Sequence, residues 1–126
     1  MSKQPYRPVF LNLLQIKLPP AGLASIAHRI SGLLLVLSAP LFIYLFALSL
    51  QHAAGFQSVQ EIMSCWWFKG LLVLLCWSIA HHLLAGVRFL LLDMDIGMSR
   101  DVLNKTAWVV MLLGLVLGFV LALRLL

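Results

Sequence analysis

Three long apolar runs without a charged residue constrain the fold of this 126-residue chain more than any other feature. The runs are Ile30–Leu50, Gly70–Val87 and Thr106–Leu123. Each is close to or above the roughly 18–20 apolar residues that a helix needs to cross a hydrocarbon core about 30 Å thick. Only helices and closed barrels span lipid, and these runs lack the two-residue alternation of barrel strands. Because 63% of all residues are also hydrophobic, we predict an all-α integral membrane protein with three transmembrane helices.

The residues around these runs predict the domain organisation. Residues 1–20 are expected to form a basic lead segment, because four prolines prevent a continuous helix there. Residues 21–126 are expected to form one transmembrane domain. Its predicted helices cover about 21–50, 63–92 and 105–124, joined by a short loop at 51–60 and a link at 93–104.

The positions of the positive charges predict the orientation in the membrane. Four Lys or Arg residues precede or open the first helix, and three lie around the second link. The first link has none over 51–64. The N-terminus and the second link are therefore predicted to face the cytoplasm or the mitochondrial matrix. In so apolar a chain, the net charge of +5 determines topology and does not indicate nucleic-acid binding.

The first candidate site is the string Ser25-Ile-Ala-His28-Arg29-Ile-Ser-Gly at the start of the first helix. Ser25 and Arg29 are four residues apart and share a helix face, which His28 borders. A hydroxyl donor beside a cation suits a quinone carbonyl, because the carbonyl accepts a hydrogen bond and the cation stabilises the negative charge of reduction. The alternative is a helix start with a serine cap and an arginine that extends to the lipid headgroups.

The second candidate site is the pair His81 and His82 in the second helix, followed by Gly86 and Arg88. Ionisable residues inside a membrane are costly and are by default functional hypotheses. His82 and Gly86 share a face, where the absent side chain leaves room for a flat macrocycle, and imidazole is an axial ligand of haem iron. His81 has Ala85 and Arg88 on its own face, so spacing alone does not choose between the histidines. The alternative is a pair of buried histidines that hydrogen-bond to a neighbouring helix.

Two further patterns concern packing and attachment. Gly114 and Gly118 have the small-residue spacing that lets two membrane helices approach closely, and the alternative is a smooth face towards lipid or within the chain. No Cys-x-x-Cys-His string is present, so a haem would be held without covalent attachment.

Together these residues resemble a known family, the cytochrome b556 membrane-anchor subunits of succinate dehydrogenase, over nearly the whole chain. The strings that carry the resemblance are Arg7-Pro8-Val-Phe-Leu-Asn-Leu, Ser25-Ile-Ala-His28-Arg29-Ile-Ser31-Gly32, and His82-x-x-x-Gly86-x-Arg88 followed by Asp93.

The resemblance implies a place in a four-subunit complex with a flavoprotein, an iron–sulfur protein and a second membrane anchor that shares one haem b. It implies that electrons from succinate oxidation pass to ubiquinone, which is a substrate of the complex. Succinate oxidation itself would occur on the flavoprotein, so no catalytic residue is expected here. The implied location is the lipid bilayer of a bacterial cell inner membrane, with the mitochondrial inner membrane as the alternative.

The resemblance also assigns residue roles. His82 begins the His-x-x-x-Gly-x-Arg motif and would be the axial ligand of the haem iron. Ser25 and Arg29 would bind the quinone, with His28 near the haem propionates or the quinone. Two positions depart from the family pattern, since His81 stands where a tyrosine is expected and Phe89 where a histidine is expected.

Two other functions fit the same architecture. One is an anchor of fumarate reductase that works with a low-potential quinone. The other is a haem-free structural anchor or small transporter subunit, whose histidines only pack.

Overall fold

The computed structural model describes residues 17–126, which are helical apart from short connections and contain no strand. The four helices are α1 (Pro20–Gln51), α2 (Ala53–Ser64), α3 (Trp66–Asp93) and α4 (Arg100–Leu125). Of these, α1, α3 and α4 are long and apolar enough to cross a membrane. The predicted all-α class with three transmembrane helices is confirmed. The predicted lead segment falls mostly on residues 1–16, outside the described part of the chain.

The connection between the first two spans is the short helix α2, where the sequence predicted a loop over residues 51–60. His52 takes an extended conformation between α1 and α2, and its Nδ1 accepts a hydrogen bond from the Gly55 amide at 2.8 Å. This bond satisfies one of the free amides of the first turn of α2. Val59 of α2 is buried in an apolar cluster formed with α1 and α3. A side-chain cap and a tertiary contact thus favour a helix that the local sequence does not indicate.

The connection between α3 and α4 is a tight turn of residues 94–99, shorter than the predicted link over 93–104. Gly97 in this turn has a φ of 85°, a left-handed conformation that glycine adopts without strain. Helix α4 begins at Arg100, and Asp101 lies in its first turn. A carboxylate there interacts favourably with the helix dipole, which extends the helix into residues expected to form the link.

Helix α3 packs most extensively against α4 and also against α1. Gly114 and Gly118 of α4 face α3 directly. A Cβ on Gly114 would lie 3.0 Å from Nδ1 of His81, and one on Gly118 would lie 2.6 Å from Cα of Trp77. Both separations are shorter than normal packing contacts. The small-residue spacing therefore brings two helices of this chain together.

The start of α1, the end of α3 and the start of α4 meet at one end of the bundle, here termed the turn end because it carries the 94–99 turn. His28 of α1 contacts Phe89 of α3, with ring centroids 5.2 Å apart. Arg88 of α3 donates a hydrogen bond to the Leu103 carbonyl of α4 at 3.0 Å. The sequence-predicted site residues all lie in the half of the bundle nearer this end.

Candidate functional site

His82 extends from α3 towards α1, where one nitrogen of its ring is held. Its Nδ1 lies 3.2 Å from the backbone oxygen of His28 and 3.3 Å from Oγ of Ser31. A carbonyl oxygen can only accept a hydrogen bond, so Nδ1 must carry the proton to make the first of these bonds. Nε2 then keeps a free lone pair, the form in which a neutral imidazole binds a metal ion.

Ser31 is fully buried and was not among the predicted site residues. Its Oγ donates a hydrogen bond to the His28 carbonyl at 2.8 Å, so the hydroxyl proton points away from the His82 ring. The lone pairs of Oγ can then accept a hydrogen bond from the ring N–H of His82. Ser31 lies within the first string singled out in the sequence, but its partner is 51 residues away, and helical spacing cannot predict such a contact.

Gly32 lets α1 approach the His82 ring. A Cβ at this position would lie 2.8 Å from Cε1 of His82 and 3.2 Å from its Nδ1. Even an alanine would therefore collide with the imidazole or push it away. Ser31 and Gly32, two consecutive residues of α1, together enclose the ring of His82 on this side.

His28 forms the other contact of α1 with His82. The two imidazole rings stack with centroids 4.1 Å apart and planes 10° from parallel. Nε2 of His28 is buried and has no hydrogen-bond partner within residues 17–126. It lies beside Gly86, where a Cβ would stand 3.6 Å from it, an ordinary contact distance. The face of Gly86 that the sequence predicted to receive a macrocycle is thus next to His28.

His81 lies in a different environment from its neighbour. It is 1% exposed, its ring stacks 5.5 Å from that of Trp77, and Gly114 of α4 covers it. The backbone of Ala24 on α1 lies close to the ring, but neither ring nitrogen has a hydrogen-bond partner in the described chain. His81 is therefore enclosed among all three spans, whereas His82 is only half-buried.

Arg88, the cation that the sequence singled out in the second span, connects α3 to α4. Its side chain is 6% exposed. Its Nε donates to Oγ1 of Thr106 and its Nη2 to the Leu103 carbonyl, both at 3.0 Å. Oxygen acceptors of α4 thus compensate a buried charge that would otherwise be costly. Neither acceptor could be identified from the sequence, because both contacts depend on how α4 packs.

Ser25 and Arg29 lie on α1 at the turn end, on the part of the helix that also carries His28. Ser25 is half-buried and Arg29 is exposed. The contacts that hold His82 come from His28 and from the two residues of the next turn, not from this pair. Neither side chain is among those that hold the His82 ring in residues 17–126.

Comparisons with known proteins agree with this membrane fold. Residues 3–121 match the family described as succinate dehydrogenase/fumarate reductase transmembrane subunit. The chain is 35% identical over 89 residues to the succinate dehydrogenase cytochrome b556 subunit of Coxiella burnetii, covering 70% of this chain and 71% of that protein. Subunits of the same description from Paracoccus denitrificans (28% identity, 80% and 78% covered) and Rickettsia prowazekii (28% identity, 91% and 90% covered) are also similar. The chain therefore belongs to the succinate dehydrogenase/fumarate reductase transmembrane subunit family, as a multi-pass membrane anchor subunit.

Proposed function

We propose that this chain is the haem b-binding anchor of a succinate dehydrogenase, which passes electrons from succinate oxidation to ubiquinone. The observation that supports this most directly is the state of His82. One nitrogen is bound to an acceptor, and the other makes no hydrogen bond within residues 17–126, at a half-buried position. The relatives' description as cytochrome b556 subunits agrees with haem b as the cofactor.

The residues around His82 fit a haem ligand. Histidines that bind metals usually donate their second ring N–H to a carbonyl or carboxylate, which fixes the tautomer and increases the basicity of the binding nitrogen. The His28 carbonyl provides such an acceptor to Nδ1 of His82. Bound haem would supply a one-electron carrier inside the membrane. His82 would bind its iron through Nε2. Nε2 of His28, which has no hydrogen-bond partner among the described residues, would be available for a propionate nearby.

His81 fits this role less well, although its ring nitrogens also have no hydrogen-bond partner in the part of the chain that the structure describes. Gly114 and Trp77 pack directly against it, so a macrocycle at His81 would have to separate α3 from α4. Gly32 also packs against His82, but the His82 side chain is only half-buried, whereas His81 is 1% exposed. The second membrane anchor would share the haem with this chain.

Ser25 and Arg29 are proposed to bind the quinone at the turn end. The Ser25 hydroxyl can donate a hydrogen bond to a carbonyl, and the guanidinium of Arg29 can stabilise the negative charge that develops there. Their half-buried and exposed side chains, free of the His82 contacts, agree with binding a molecule from outside the chain.

The exposed surface and the charge distribution support the proposed partners and location. In the apolar 18-residue stretch of α1, only 6% of the residues are buried, against 33% in the corresponding stretch of α3. The exposed surface of α1 can therefore pack against a second membrane anchor or lipid. The Lys and Arg distribution favours a cytoplasmic turn end, where the iron–sulfur and flavoprotein subunits would bind. The membrane would be the bacterial inner membrane.

A reduced-minus-oxidised visible spectrum of the purified complex tests the haem assignment. We expect a haem b band that is lost in His82→Ala and retained in His81→Ala, because the two side chains point about 100° apart and cannot replace one another. The reverse pattern would refute the ligand assignment. Absence of haem from the wild-type complex would favour the purely structural anchor. The ratio of succinate oxidation to fumarate reduction by the same preparation decides between the two enzymes named in the family description.

Quinone reductase assays test the second site. Ser25→Ala should lower quinone-dependent succinate oxidation modestly, since a neutral hydrogen bond contributes about 0.5–1.5 kcal/mol. Arg29→Leu should lower this activity more, since charge-assisted bonds are about twice as strong. The activity of Arg29→Lys should lie between those of the wild type and Arg29→Leu. Activity with an artificial acceptor that takes electrons from the soluble subunits is the control and should stay near normal. If a variant loses activity equally with quinone and with the artificial acceptor, the residue acts in assembly. If quinone reduction is unchanged in both Ser25→Ala and Arg29→Leu, the quinone binds elsewhere.

A further inference from the structure

We propose that Ser31 is a positioning residue for the haem ligand. Its hydroxyl oxygen, together with the His28 carbonyl, holds the ring N–H of His82 and so strengthens Nε2 as an electron donor to iron. This inference rests on the proposed function, in which His82 is the axial ligand.

The three polar atoms form a closed triangle. The Ser31 Oγ lies 2.8 Å from the His28 carbonyl oxygen, which lies 3.2 Å from Nδ1 of His82, which in turn lies 3.3 Å from Oγ. Since the hydroxyl proton is directed to the carbonyl, the ring N–H meets two acceptors and forms a shared hydrogen bond. Because Ser31 is fully buried, water does not compete for its hydroxyl group.

The contact with His82 is specific to Ser31 among the serines of α1. Ser38 and Ser49 make the same bond to the carbonyl three residues earlier, at 2.8 Å and 2.7 Å. The serine-to-backbone bond is thus a repeated feature of this helix. Only at position 31 do the hydrogen bonds of these serines also include an imidazole. Ser38 lies two helical turns further along and therefore offers a matched control.

The chemical consequence concerns the electron density at Nε2. A hydrogen bond donated by the far nitrogen makes an imidazole a better electron donor, and the better donor favours ferric over ferrous iron because the ferric ion carries more positive charge. Loss of the Ser31 oxygen should therefore weaken haem binding and raise the haem reduction potential.

The test is a redox titration of the haem in the assembled complex, with haem content measured in parallel, for Ser31→Ala, Ser31→Thr and Ser38→Ala. Loss of such an outer partner typically lowers metal-site affinity about 10–100-fold. If the affinity for ferric haem falls tenfold more than the affinity for ferrous haem, the one-electron reduction potential rises by about 59 mV. We expect this upward shift and a lower haem content in Ser31→Ala. Ser31→Thr, which keeps the hydroxyl, should return towards the wild-type potential, and Ser38→Ala should not change it.

An unchanged potential in Ser31→Ala, or equal shifts in Ser31→Ala and Ser38→Ala, would overturn the proposal. If Ser31→Ala does not assemble, Ser31→Cys, which nearly keeps the volume but has a weaker acceptor, should show the same upward shift. Failure of both to assemble would show that Ser31 acts in folding and would also overturn it. Haem retained in His82→Ala would instead refute the ligand assignment, which distinguishes failure of the proposed function from failure of this inference.

Discussion

Replacing Gly118 by alanine should loosen the contact between α3 and α4, because the added atom would meet backbone. Its Cβ would lie 2.6 Å from Cα and 3.0 Å from the amide nitrogen of Trp77. No side-chain rotation can move these atoms. Ordinary contact between carbon atoms lies at about 3.5–4.0 Å, so the two helices must separate locally by roughly 1 Å. Overpacking of this kind costs about 1–3 kcal/mol.

Gly70 provides a control for the same chemical change. It lies in the interior of α3, and a Cβ there would meet nothing within 4 Å. Alanine in a helix interior is more stable than glycine by about 0.5–1 kcal/mol. The same gain in helix propensity applies at Gly118, so the free energies of unfolding of Gly118→Ala and Gly70→Ala should differ by the overpacking cost alone, about 1–3 kcal/mol, with Gly118→Ala the less stable.

Thermal unfolding of the purified complex in detergent, followed by the loss of folded anchor subunit, measures this difference. Gly118→Ala should unfold at a lower temperature than the wild type, and Gly70→Ala at an equal or higher one. A Gly118→Ala protein as stable as Gly70→Ala would refute the close α3–α4 contact on which the enclosure of His81 also depends.

Three further predictions concern the site and its orientation. Gly32→Ala should lower haem content by displacing the His82 ring, from which the new Cβ would lie 2.8 Å, and wild-type haem content would contradict this. Gly86→Ala should fold as stably as the wild type, since its Cβ would be at an ordinary contact distance from the nearest side chain. It should nevertheless lose haem if a macrocycle lies on this face, and unchanged haem content would argue against that position. A reporter active only outside the cytoplasm should be active after Leu126 and silent within residues 95–104, and the opposite result would reverse the proposed orientation.

The three spans could be predicted from the sequence because the physical requirement is local. A helix in lipid needs a continuous apolar run, and each run is visible without knowledge of its neighbours. The helix α2 could not be predicted in the same way. Its formation depends on the His52 cap and on burial of Val59 against other helices. The cap requires His52 to adopt an extended conformation, and the burial of Val59 is a tertiary contact.

The candidate site was predicted as a set of residues but not as a set of contacts. Helical spacing places Ser25, His28 and Arg29 close together near the start of α1. It cannot show that His28 stacks on His82 or that Ser31 reaches its ring, since these contacts join α1 to α3 across more than fifty residues. The absence of a side chain at Gly86 predicts the open space beside it. The sequence does not predict that Nε2 of His28 lies next to that space.

His81 and His82 show why the motif on α3 is insufficient to distinguish its two histidines. Consecutive helix residues point about 100° apart, so the two rings must enter different interfaces. His81 meets Gly114 of α4 and is enclosed, while His82 meets Gly32 of α1 and remains half-buried. Each imidazole is thus accommodated by a glycine on a different helix, and each glycine determines how closely that helix approaches. Which histidine keeps an accessible nitrogen is therefore decided by the positions of small residues on α1 and α4, far from the pair in sequence.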